Sequence, residues 1–183
     1  GFTTKLDELF STSSEIKGDH SSGDISGLIG QYAHGNEPSH HITHMYNYVD
    51  ESWKTQKLTD SIMSSLYFND PNGLSGNEDC GQMSAWYTLN AMGFYSFSPG
   101  NTKYSIGRPI FDTVVINLPN GKYFTINSKN NSPENKYIQS LKLNGKTMVE
   151  PFFEHQEILN GGTLDFEMGE TANKLLFNIK KGA

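Results

Sequence analysis

The chain reads as a mixed α and β protein, helical in its first part and strand-rich in its second. Two patterns carry this reading. Up to about residue 97, apolar residues recur at intervals of three and four, the period of a helix with one buried face. From about residue 103 they alternate singly between turn residues, the pattern of short strands. Ser98-Pro99-Gly100-Asn101 separates the two textures, and such a run punctuates a chain rather than continuing an element. The expected division is therefore a helical part at 1–100 and a strand-rich part at 101–183.

The elements follow in order. Residues 3–10 form a short helix with Leu6, Leu9 and Phe10 apolar, and a polar Ser/Gly/Asp-rich loop follows to Asp24. Over 39–49, Ile42, Met45, Tyr46 and Val49 show the i, i+3, i+4, i+7 spacing of a buried helix face, with Pro38 and Ser39 suited to its start. Leu58, Ile62 and Leu66 make a stripe over 55–67. Met83, Trp86, Tyr87 and Ala91 do the same over 82–92, with Gly93 suited to the C-terminal cap. In the second part, Val114, Ile116 and Leu118 share one strand face. The chain then turns at Pro119-Asn120-Gly121-Lys122 and returns through Phe124 and Ile126. Leu141 and Leu143 precede Asn144-Gly145, a hairpin turn in which both residues tolerate positive φ. Gly161-Gly162 introduces a strand with Leu164 and Phe166, and a last strand is expected at 175–179. The expected assembly is an antiparallel sheet or small sandwich.

Composition narrows the function classes. The 183 residues suffice for a sizeable core. A net charge of −6 opposes nucleic-acid binding, which selects for basic patches. No Lys/Arg run suits an anionic membrane, and no segment approaches the roughly 20 apolar residues that span one. Gly1-Phe2-Thr3-Thr4-Lys5 lacks the apolar core of a signal peptide. The single cysteine, Cys80, excludes an internal disulfide. It is expected as a small packing residue, because a thiol nucleophile needs a paired base and none is specified nearby.

Two polar, glycine-punctuated clusters are the candidates for chemistry. The first is Gly30-Gln-Tyr-Ala-His34-Gly-Asn36-Glu37-Pro-Ser-His40-His41; the second is Gly76-Asn77-Glu78-Asp79-Cys-Gly-Gln-Met-Ser-Ala-Trp-Tyr87. Each lies where a loop feeds a helix. Pro38 biases Glu37 toward extended backbone, so the Asn36 and Glu37 oxygens project ahead of a helix start. Such oxygens either ligate a hard cation such as calcium or cap the helix. His34, His40, His41 and His44 invite a zinc reading, but neighbouring histidines do not share a face and no zinc spacing is present. His34 is expected either to bond a substrate hydroxyl or to pack in the core. In the second cluster, flanking glycines leave the carboxylates exposed. Asp79 is then either a general base toward water or the cap of the following helix.

These segments resemble the signature segments of glycoside hydrolase family 92, the calcium-dependent exo-acting α-mannosidases. The resemblance runs from Asp24 through the first cluster to His41, over Trp53-Lys54-Thr55-Gln56, and over Gly76 to Trp86. In the second part it takes in Asn130-Asn131-Ser132, Tyr137-Ile138-Gln139-Ser140 and Leu143-Asn144-Gly145. It implies the end of an (α/α)6 toroid catalytic barrel followed by a C-terminal antiparallel β-sheet or sandwich module. It further implies inverting hydrolysis of terminal α-linked mannose from glycans such as N-glycans, α-1,2 linkages first, with one Ca2+. By this resemblance Asp79 is the base. Asn77 stands where some members carry a second aspartate, so it can orient water but not take its proton. Asn36 and Glu37 are expected calcium ligands, and His34, Glu78 and His40 are expected to bind substrate, His34 near the leaving sugar. Some α-1,2-specific members carry Glu after that histidine, where this chain has Gly35. The family's general-acid glutamate has no counterpart before Gly30, so the chain alone is expected to be inactive. It is expected to dock against the remainder of the enzyme or to self-associate. The implied setting is periplasmic or secreted, in a bacterium. The alternative is a non-catalytic carbohydrate-binding or structural module of the same fold.

Overall fold

The computed structural model describes residues 1–16, 25–96 and 98–177. Helix α1 is Phe2–Ser11. The strands β1 (Leu28–Ile29) and β2 (Tyr32–Ala33) form a small hairpin. Two 3-10 helices follow, Glu37–Ser39 and Ile42–Tyr48. Then come α2 (Ser52–Ser65) and α3 (Gln82–Ala91). The remaining elements are β3 (Phe94–Tyr95), β4 (Lys103–Ile106), β5 (Thr113–Asn117), β6 (Tyr123–Lys129), β7 (Tyr137–Leu143), β8 (Lys146–Thr147), β9 (Phe152–Glu154), α4 (His155–Asn160) and β10 (Gly162–Gly169). Most of the polar loop expected before Asp24 and the end of the strand expected at 175–179 lie outside the described residues. Within it, residues 175–177 are turn and bend rather than strand.

The strands form two larger sheets. One has the order β5-β6-β10-β7-β8, the other β3-β4-β9. The first is not purely antiparallel: β10 runs parallel to β6, with Leu164 opposite Ile126, and antiparallel to β7, with Leu164 opposite Leu143. The swap follows from the connection. A hairpin, β9 and α4 intervene after β7, so β10 enters between β6 and β7 instead of adding to an edge. Its central position is matched by alternation, with Leu164, Phe166 and Met168 buried and their neighbours only partly so. These side chains meet Phe124, Ile126, Ile138, Leu141 and Phe153 in one core. The Asn144-Gly145 turn forms as expected, with φ of 51° and 77° closing β7 onto β8.

The expected helix over 39–49 is not α-helical. The segment is held by tertiary hydrogen bonds: the Thr43 carbonyl accepts the Thr55 hydroxyl of α2 at 2.8 Å, and His44 and Asn47 both bond Ser105 of β4. The segment tightens to i+3 bonding. Its buried face becomes Thr43, His44, Tyr46 and Asn47, while Ile42, Met45 and Val49 are half-buried. The buried stripe of α2 is polar for the same reason: Thr55, Gln56 and Thr59 accompany Ile62 and Met63, and Leu58 and Leu66 are displaced to its margin. Most buried polar groups are paired, and Thr55, Gln56 and Thr59 follow this, whereas the Thr43 and Ser52 hydroxyls and the Asn47 Oδ1 have no hydrogen-bond partner among the described residues. Thr59 donates to the Thr55 carbonyl at 2.9 Å, and Gln56 Oε1 accepts the Ile138 amide of β7 at 2.9 Å.

That last bond belongs to a set joining the two parts of the chain. Asp60 of α2 pairs with Arg108 at 3.2 Å and Lys136 at 3.0 Å. His44 donates from Nε2 to Asn90 Oδ1 at 2.9 Å and accepts the Ser105 hydroxyl at Nδ1, 3.0 Å. Asn47 donates to the Ser105 oxygen and to the Ile106 carbonyl, both at 2.7 Å. Burial lowers the His44 pKa to about 4. The unfolded imidazole titrates near 6.5, so as pH falls the unfolded chain takes up this proton first. The His44 contribution is complete above about pH 6.5 and is lost as pH falls toward 4, at up to about 1.4 kcal/mol per pH unit. Urea unfolding at pH 7, 6 and 5 will therefore give successively lower midpoints. A flat profile over that range contradicts a neutral buried His44.

Candidate active site

The two glycine-punctuated clusters meet. Gly30 turns the β1–β2 hairpin at φ +61° and lies against the end of α1, where a Cβ would come within 2.8 Å of the Phe10 carbonyl oxygen. The following residues run beside 26–27: His34 N–H donates to the Gly27 carbonyl at 3.1 Å and Gly35 N–H to the Ser26 carbonyl at 3.0 Å. The Ser26 hydroxyl in turn donates to the Ser75 carbonyl. At this seam the backbones of Gly35 and Gly76 touch. A Cβ on Gly76 would lie 2.9 Å from the Gly35 oxygen, and one on Gly35 would collide with Ser26 and the Ser75 carbonyl. Only glycine permits this approach, and through it Glu37 and Glu78 reach the same side of the molecule.

Behind the seam is an aromatic nucleus. His34 is fully buried. Tyr32 O–H donates to its Nδ1 at 2.9 Å, and its Nε2 donates to the Tyr67 hydroxyl at 2.6 Å, which passes its own proton to the Met83 carbonyl at 3.1 Å. The ring stacks on His40 at 4.7 Å and meets the edge of Trp86 at 4.4 Å. His40 is also buried; its Nε2 donates to the His34 carbonyl at 3.0 Å and its Nδ1 accepts Gln82 Nε2 at 3.1 Å. Trp86 Nε1 donates to the His40 carbonyl at 3.1 Å. Burial lowers the His34 pKa to about 3, with His40 adding to the effect, and burial lowers His40 too. Both rings are neutral and fully engaged. Among the described residues no three His, Cys, Asp or Glu side chains gather as they would around a metal ion.

The carboxylates have three different environments. Glu37 sits in the first turn of its 3-10 helix, and its Oε1 is buried with no hydrogen-bond partner. Glu78 is fully engaged: Oε1 accepts Ser84 N–H at 2.9 Å and Oε2 accepts the Ser84 hydroxyl at 2.7 Å. Of the two sequence alternatives for Asp79, helix capping is therefore performed by its neighbour. Burial raises the Tyr67 pKa, and the charges of Glu78 and Glu37 add to the effect. Asp79 and Cys80 hold left-handed backbone at φ 44° and 58°, followed by Gly81 at 95°. Asp79 is exposed and has no side-chain hydrogen bond or ion pair among the described residues. Asn36 and Asn77 are exposed as well. Cys80, expected as a packing residue, is also exposed, because the left-handed turn directs it away from the core.

The structure thus packs His34 against Tyr67 and His40, engages Glu78 with Ser84, and leaves Asp79, Asn77 and Asn36 exposed to solvent. Tyr67 is the site residue that sequence reasoning missed. It stood at the end of a predicted helix, and only its adjacency to an apolar stripe marked it. Gln82 was also missed; it links His40 to the Tyr95 hydroxyl, 3.0 Å away.

Residues 1–170 match the model of the glycosyl hydrolase family 92 catalytic domain, and the chain belongs to that family. Its fold is similar to an α-mannosidase of the family from Bacteroides thetaiotaomicron, with 40% identity and a TM-score of 0.84 over 94% of this chain and 22% of that one. The same enzyme in complex with mannoimidazole gives 42% identity and 0.88, over 94% and 23%. An inverting mannosidase of the family from Bacteroides thetaiotaomicron VPI-5482 gives 35% and 0.80, over 94% and 24%. An uncharacterized secreted glycosidase of Arthroderma benhamiae is 34% identical over 139 residues, 74% of this chain and 18% of the relative. The chain spans about a fifth to a quarter of the length of these proteins. No helix among the described residues is long and apolar enough to cross a membrane.

Tyr67→Phe removes the hydroxyl that joins His34 to the Met83 carbonyl and leaves the buried His34 Nε2 without its partner. It is expected to lower unfolding free energy by about 1–3 kcal/mol, read by urea denaturation. A loss below about 0.5 kcal/mol means that the hydroxyl does not hold the nucleus.

Proposed function

We propose that this chain is the C-terminal part of an exo-acting, inverting, calcium-dependent α-mannosidase that removes terminal α-linked mannose from glycans, N-glycans among them. In this reading 1–100 supplies the last helices of an (α/α)6 toroid and 101–183 a closing strand-rich module. The observation that carries it is the free Asp79 carboxylate at the rim of a seam that also holds the orphaned Glu37 oxygen. A carboxylate without an internal partner is available to take a proton.

Inversion needs an acid on the leaving oxygen and a base that activates water on the opposite face of the sugar. Asp79 takes the water proton as its oxygen attacks the anomeric carbon. Asn77, two residues earlier, orients that water by its amide. The acid is a glutamate elsewhere in the whole enzyme, so the chain by itself is a half-site. His34 and His40, being neutral and engaged, shape the sugar pocket through the rings and backbone they hold. Glu37 Oε1 and Asn36 fit as two of the six to eight oxygens a calcium ion takes. When bound, that ion would engage mannose hydroxyls and favour the distorted ring. Gly35 is the position that bears on linkage, and α-1,2-mannobiose is the first substrate to test. A secreted family member supports a secreted or periplasmic setting, in a bacterium in this reading. Exposed Phe2, Phe68 and Leu175 support docking against the rest of the enzyme or self-association.

In the whole enzyme, Asp79→Asn is expected to lower kcat by about 10²- to 10⁴-fold with little change in KM, and NMR is expected to show β-mannose as the first product of the wild type. Near-normal turnover by Asp79→Asn, or α-mannose first, overturns the reading. The chain alone is expected to give no more than trace turnover of an aryl α-mannoside.

A further inference from the structure

We propose that Glu78 and Ser84 form a clamp that positions Asp79, rather than Glu78 binding substrate itself. The inference rests on Asp79 being the base. Glu78 ties both ends of the turn that carries Asp79. Its carbonyl accepts Gly81 N–H at 3.2 Å and Met83 N–H at 3.3 Å, and its carboxylate grips the backbone and hydroxyl of Ser84 at 2.9 and 2.7 Å. Between these ties lie Asp79 and Cys80, two consecutive non-glycine residues in left-handed backbone. Such residues persist only where their surroundings over-determine them.

The clamp has no local substitute. The N-cap of α3 is Gly81, which has no side chain with which to cap, and the first turn of α3 carries no acidic residue. Glu78 supplies the carboxylate that accepts a first-turn N–H of this helix, where the exposed N–H groups favour negative charge. Helix α3 is itself fixed, because Met83 and Trp86 are fully buried. The rigidity of the core thus passes through Ser84 and Glu78 to the turn. Each Glu78 carboxylate oxygen accepts one hydrogen bond from Ser84, which fixes the carboxylate's direction along the start of α3. Ser84 is exposed, so its loss removes the contact without opening the core.

The chain carries a single cysteine, Cys80, inside the turn and exposed. A nitroxide attached there reports turn mobility by electron paramagnetic resonance without reference to chemistry. The expected result is an immobilised label in the wild type and a mobile one in Ser84→Ala and Glu78→Ala, with Glu78→Gln retaining much of the order because its amide oxygen still accepts Ser84 N–H. In the whole enzyme, Ser84→Ala is expected to lower kcat by about 10- to 10²-fold and leave KM within about 2-fold. A label equally immobile in all variants overturns the clamp. A raised KM in Glu78→Gln with the label still immobile shows Glu78 on the substrate and overturns it as well. Should Asp79→Asn retain turnover, the base reading falls, while a label mobilised by Ser84→Ala still establishes the clamp.

Discussion

The site depends on one steric constraint, the contact of two backbones at Gly35 and Gly76. A single methyl group on either glycine would meet a carbonyl oxygen or serine of the other segment. The constraint has consequences in both directions along the chain. Inward, it sets His34 against Tyr67 and Trp86, and desolvation then holds the imidazole neutral. Outward, it places Glu37 and the turn that carries Asp79 on one rim. Similar carboxylates thus end in different surroundings: Glu78 is held by Ser84, one Glu37 oxygen is buried without a partner among the described residues, and Asp79 is exposed.

The strand-rich part contributes by stiffening this arrangement. Gln56, Asp60 and His44 each reach across to it through a buried or partly buried bond. β3 continues directly from α3, pairing Phe94 with Ile106 of β4. Such bonds add little net stability individually, yet each leaves a buried group unpaired if the parts separate. Two apolar clusters lie one in each part, and Leu89 of α3 packs against both.

How much of this was legible in the sequence varies with the physics involved. Helices α1, α2 and α3 and the β7–β8 hairpin follow local rules, periodicity and turn chemistry, and their positions were read within a few residues. The 3-10 segment was misread as an α-helix because its tertiary ties, through Thr43, His44 and Asn47, leave no mark in the local apolar spacing. The short strands of the β3-β4-β9 sheet, together with α4, are too brief to show a period, and the parallel β6–β10 pair depends on long-range order. In the site, both clusters were visible as unusual polar runs. Whether Asp79 or Glu78 caps α3 was not, because the two differ only in reach and backbone conformation. Left-handed φ at Asp79 and Cys80 is decided by the fold around them.

The central claim is that Asn36 and Glu37 on one side of the seam, and Asp79 on the other, form a single mannose site organised by calcium. Isothermal titration of calcium into the whole enzyme, with and without mannose, tests it most directly when repeated on Glu37→Gln. If the claim holds, mannose tightens calcium binding, calcium tightens mannose binding by the same factor, as linkage requires, and Glu37→Gln weakens both. Calcium binding that is indifferent to mannose and to Glu37→Gln contradicts it.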